Sequence, residues 1–136
     1  MTKVRVVPDT NVIISSIFWK GNEHTFIRKG FEGAYILVLS SEIIEEVVRN
    51  LRKKFKFPED KIKEVVALLY YFCHIIEPKI KLRVVKKDPS DDKIIETAVD
   101  GKADFIVTGD EVILKIRNYG NIKILKVREF LNIVDR

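Results

Sequence analysis

The chain has 136 residues, 46% of them hydrophobic and 33% charged, which is enough for one domain, residues 1–136, with its own core and no disulfide or metal staple. Its single cysteine excludes an internal disulfide and a CxxC metal site, and no apolar run approaches the roughly 18 residues of a membrane span. The net charge of +5 favours an anionic partner, and an N-terminus that runs straight into a strand leads us to expect no secretory signal and a cytoplasmic protein.

Apolar patterning predicts, in chain order, strand 4–8, helix 11–18, helix 23–32, strand 35–39, helix 41–54 and helix 58–72. There follow a strand at 74–77 or 82–86, helix 90–100, strand 104–107, a short helix 111–117, strand 122–126 and helix 128–134. The strands read as near-continuous apolar runs ("YILVL", "DFIV", "IKIL"), as strands covered on both faces do. The expected architecture is therefore a three-layer α/β/α sandwich with a central parallel β-sheet. Lack of Gln, single Met and Cys, and abundant Lys, Glu, Ile and Val point to a thermophile. Cys73 in "LLYYFCHII" reads as core, Trp19 with Phe18 as core or dimer contact, and His24 and His74 as surface or core residues.

Parallel strands joined by right-handed crossovers all end at one edge of the sheet, where ligands bind. The residues just past the strands, Asp9 to Asn11, Ser40 and Ser41, and Thr108 to Asp110, should then be neighbours. Helix 90–100 adds a further acid: at about 100° per residue Asp91 falls within the apolar stripe of Ile94, Ile95 and Ala98, while Asp92, Lys93, Glu96 and Thr97 point away. Asp92 reads as a solvent-facing charge that suits the helix dipole. On helix 41–54, Glu45 and Glu46 flank the stripe equally, and periodicity does not choose between them.

Several carboxylates at one edge repel one another, and a divalent cation removes the conflict. Oxygen-only ligands point to Mg²⁺ or Mn²⁺ rather than zinc. Basic clusters at 49–57 and 79–87 would hold a phosphate backbone around that negative centre. The combination suits phosphodiester hydrolysis.

"DTNVIISSIFWKGN", "LVLSSEIIEEVVRNL" and "DPSDDKIIETAVDGKADFIVTGD", in that order, resemble the PIN domain, most closely its VapC-like toxin branch, over essentially the whole chain. The resemblance implies a Mg²⁺- or Mn²⁺-dependent ribonuclease with four acids that bind metal and carry the reaction. They match Asp9; Glu46, between Ser40 and Leu51; Asp91, seven residues ahead of Ala98; and Asp110. It also implies supporting roles for Asn11, Asp88 and Thr108, a cognate antitoxin and a homodimer. Arg49, Arg52 and Lys53 are expected contacts to the RNA backbone. The rival expectations are a PIN nuclease of RNA processing or turnover without an antitoxin, a receiver-like metal-binding regulatory domain, and a nucleic-acid binder whose metal is only structural.

Overall fold

A computed structural model describes residues 3–85 and 88–135. Five parallel strands and one antiparallel edge strand form a single sheet in the order β3-β2-β1-β4-β6-β5. The strands are β1 (Arg5–Pro8), β2 (Ile36–Leu39), β3 (His74–Ile75), β4 (Phe105–Val107), β5 (Asn118–Tyr119) and β6 (Ile122–Leu125). The helices are α1 (Thr10–Phe18), α2 (Asn22–Phe31), α3 (Ser41–Lys53), α4 (Glu59–Phe72), α5 (Asp92–Asp100), α6 (Glu111–Leu114) and α7 (Val127–Val134). From β1 the chain steps one way to β2 and β3 through α1 to α4, then returns across the sheet to β4 through α5. Right-handed crossovers in opposite directions put those helices on opposite faces, so the sandwich forms as expected.

The core lies where the central strands meet these helices. Val6, Val7, Leu37, Leu39, Ile106 and Val107 of the sheet are fully buried, against Ile43, Val47 and Leu51 of α3 and Ile94, Ile95 and Ala98 of α5. Phe26, Tyr35 and Phe130 pack together, the Tyr35 hydroxyl donating to the Phe26 carbonyl. Gly101 lets the end of α5 settle on the sheet, because a Cβ there would lie 2.7 Å from Val38 Cγ1 and 2.6 Å from the Thr97 carbonyl. No helix of the described residues is long and apolar enough to cross a membrane.

Three expectations need correction. The alternative strand 82–86 does not form over its described part: residues 79–85 run extended as a strap beside α5, with residue 86 outside the described set. Helix 90–100 begins later, since Pro89–Asp91 is a turn of 3₁₀-helix and α5 starts at Asp92. The helix predicted over 111–117 stops at Leu114, and Asn118–Tyr119 pairs antiparallel with β6 across a two-residue turn opened by Gly120 at φ 58°. A glycine takes that left-handed conformation at little cost.

Candidate functional site

Four chain segments deliver acids to the carboxyl edge. Asp9 ends β1 and stands at the start of α1; its Oδ1 accepts from the Thr10 N–H at 2.7 Å and its Oδ2 from the Thr108 hydroxyl at 2.7 Å. Thr108 follows β4, and its hydroxyl oxygen also accepts from the Asp110 N–H at 3.0 Å. One buried threonine therefore ties the two strand ends together. Asp110 caps α6 through Oδ1, which accepts from the Val112 N–H at 2.8 Å, a familiar use of a short acid at a helix start. Asp88 caps the 3₁₀ turn by accepting from the Ser90 N–H and hydroxyl.

Asp91 differs from these three. It precedes the first residue of α5, and among the described residues no donor reaches its carboxylate. Burial first, then the charges of Asp88, Asp9 and Asp110, push its pKa up to about 7, against a smaller opposing pull from Lys93. Asp9 is raised as well, chiefly by burial, with Glu46 and Asp110 adding to the rise and the bonds from Thr108 and Thr10 opposing it. Asp9, Asp91 and Asp110 thus share one electrostatic neighbourhood, and two of them are held above the usual carboxylate range.

Glu46 joins them from α3 through two contacts. Its Oε1 accepts from the Thr10 hydroxyl at 2.5 Å and its Oε2 from Lys93 Nζ at 3.0 Å. Lys93, whose side chain is 7% exposed, also donates to the Ser90 carbonyl. Glu45 is exposed. Among the described residues, no three His, Cys, Asp or Glu side chains stand ready to hold a metal ion together. Lys93 thus pairs with Glu46 at 3.0 Å.

Helix α5 also carries the clearest misreading. Asp92, expected to face solvent, is 6% exposed, and its Oδ1 accepts from the Val84 and Val85 N–H groups at 2.9 and 2.8 Å. Glu96 accepts from the Leu82 N–H, and Asp100 from the N–H groups of Lys79 and Ile80. Lys93 and Thr97, also expected to point away, are buried, Thr97 donating to the Ser40 hydroxyl oxygen at 3.1 Å. The strap and α3 cover the side of α5 that a two-sided helix wheel assigns to water. The signal available in sequence was the polar run "DDK" before an apolar stripe on a helix enclosed by apolar segments.

Of the expected RNA contacts, Arg49, Arg52 and Lys53 lie beyond Glu46 toward the far end of α3, and Arg52 is committed to Glu59 at 2.8 Å. The basic stretch 79–87 supplies backbone donors to α5, with Lys86 and Lys87 outside the described residues. Trp19 is 59% exposed and so is not core, resting edge-on against Phe18. Cys73 is buried, its thiol pushed up to about 12 by burial. Asn11 is exposed beside Asp9.

The donor set fits a hard divalent cation in its chemistry: only carboxylate oxygens, two of them raised by burial and mutual repulsion, one with no donor among the described residues. The sequence model described as "PIN domain" matches residues 5–111. No curated protein matches the chain. Among solved structures, the crystal structure of VapBC2 from Rickettsia felis bound to a DNA fragment from their promoter is similar at a TM-score of 0.60, with 14% identity over 89% of this chain and 97% of that one. At that identity the likeness is one of fold.

Proposed function

The chain belongs to the PIN domain family, and from that premise we propose that it is a metal-dependent endoribonuclease that hydrolyses RNA phosphodiester bonds, and the toxin of a type II toxin–antitoxin pair. The observation that carries this reading is Asp91, a half-buried carboxylate without a donor among the described residues, raised to about 7 beside Asp88, Asp9 and Asp110. Carboxylates are gathered in this way at a cost, and a cation recovers it. Asp9, Glu46, Asp91 and Asp110 would hold Mg²⁺ or Mn²⁺, which when bound supplies a polarised phosphoryl oxygen and a more acidic water.

The remaining work falls to the chain itself. Thr108 fixes Asp9 against Asp110, and Asp88 shapes the turn that presents Asp91. Lys93 and Thr10 hold Glu46 at the rim, where it, or Asp91 once ionised, orients the attacking water. Asn11, exposed next to Asp9, contacts the phosphate.

A protein partner is supported by an open apolar groove of 510 Å³ between α1, α2 and α4, lined by residues including Ile13, Ile17, Ile27, Phe31, Leu68 and Phe72. Exposed apolar surface of this kind is what an antitoxin segment or a second copy would cover, and the similar structure is itself a VapBC complex.

The test is cleavage of a mixed panel of labelled RNAs and single-stranded DNA with Mn²⁺, Mg²⁺ or EDTA, beside a folded Asp91→Asn variant. Metal-dependent RNA cutting should fall by about 10²-fold or more in the variant, the scale of a positioned acid or base. Equal activity of the two proteins would show that the site is misplaced.

A further inference from the structure

A cavity of 270 Å³ adjoins the carboxylates, and its wall includes Asn11, Thr108 and Gly109. Thr108 is the residue whose hydroxyl bridges Asp9 and the Asp110 N–H, so acids and cavity share one wall. Gly109 presents open space, since a Cβ there would meet no atom within 4 Å. The volume is just under the about 300–1,000 Å³ of sites for drug-sized ligands, which suits one nucleotide.

The cavity wall carries two chemically distinct groups. Lys126 and Arg128 stand at the start of α7, and Asn22 and Glu23 at the start of α2. Glu129 accepts from the Lys126 N–H at 3.0 Å, which caps α7 and leaves the ammonium group to other partners. That ammonium lies 3.9 Å from the exposed Glu111 carboxylate, a weak pairing. Among the described residues Arg128 has no ion-pair partner. Two under-used cations therefore line a cavity whose wall also carries an acceptor-only carboxylate.

We propose that this cavity is the subsite for the nucleotide next to the scissile phosphate, a proposal that rests on the nuclease reading. Lys126 and Arg128 hold its backbone phosphate. Glu23 would repel that phosphate, so the base lies at the α2 end, where Glu23 accepts from a base amino or imino group and Asn22 completes the edge. Ser15, in the wall on α1, meets the sugar.

Binding of a short fluorescent single-stranded RNA of mixed sequence, measured in EDTA, separates this proposal from catalysis. Replacing Lys126 and Arg128 together by Ala should weaken binding about tenfold and lower the slope of log affinity against log salt by about 0.7, one phosphate's worth for a single strand. The pair Lys61→Ala and Lys63→Ala on α4 makes the same charge change and should do neither. Equal effects from both pairs, or no effect from the first, overturn the proposal. With Mn²⁺ and an RNA pool of random sequence, Glu23→Gln and Asn22→Ala should flatten the base preference at one position beside the cut while cutting continues. Cutting with an unchanged preference overturns the base end. Cavity-dependent binding without cutting by any form sinks the nuclease reading and leaves the RNA subsite standing.

Discussion

Two sets of carboxylates meet at α5, and they differ in what reaches them. Asp92, Glu96 and Asp100, spaced four residues apart, form one ridge of the helix, and each accepts backbone N–H groups from the strap 79–85. Asp91, one residue before the ridge, has no donor among the described residues and faces other acids. Hydrogen bonding to the charged form makes the first set structural, anchoring a segment that has no partner strand among the described residues. Burial and like charge raise the second set, the acids proposed to hold the cation. Residue type and sequence position are nearly the same, so the supply of donors decides the role.

The comparison breaks most visibly if its structural side proves dispensable. Asp92→Ala leaves two backbone N–H groups of the strap without their charged acceptor, at about 1.5–3 kcal/mol each. We expect a loss of about 3–5 kcal/mol in denaturant unfolding, with Asp92→Asn losing less because its carbonyl still accepts. Asp91→Asn should cost nothing in metal-free protein. If the two substitutions destabilise equally, the distinction between the sets fails.

Titration sharpens the same contrast. The folded pKa of Asp91, about 7, lies above its unfolded value of 3.8. Protonation of Asp91 therefore contributes stability that is full below about pH 4 and lost as pH rises through 7. Asp100, held below the usual carboxylate range by the Ile80 and Lys79 N–H groups, works the other way: its contribution is present above about pH 4 and lost as pH falls through its lowered value. Metal-free protein should thus gain stability from pH 7 down to about 5 and lose it on further acidification. Asp91→Asn should flatten the gain, worth about 1–2 kcal/mol for a half-exposed group after solvent screening, and leave the acid loss intact. Added Mn²⁺ should reverse the slope near neutrality in the wild type alone.

Much of this was legible in the sequence. Apolar runs mark the parallel strands, and the topology they imply places Asp9 and Asp110 at one edge. The stripe of Ile94, Ile95 and Ala98 put Asp91 on the inward face, whereas Asp91 precedes α5 and is half-buried, less so than Asp92. The other side of α5 was not legible, because a helical wheel knows only core and solvent, while Asp92, Lys93, Glu96 and Thr97 face a third surroundings made of strap backbone and α3. The short edge strand β5 was legible in principle: "NYGNIK" holds a Gly-Asn pair between strand formers, a hairpin signal. Lys93 on Glu46 could not be read, since it joins residues 47 apart in sequence and depends on how α3 and α5 approach.

The smallest expected effect lies at the far end of the ridge. Asp100 is exposed and accepts from Lys79 and Ile80, where the strap begins, so the strap stays anchored at Leu82, Val84 and Val85 when Asp100 is lost. Asp100→Ala should leave global unfolding nearly unchanged yet speed amide hydrogen exchange at Lys79 and Ile80, because local opening is governed by local donors and acceptors. Exchange at Val84 and Val85 should stay slow in that variant and quicken in Asp92→Ala. If Asp100→Ala instead released the whole strap, the ridge would be one cooperative clasp rather than separate anchors, and the loss at Asp92 would have to be shared among all three acids.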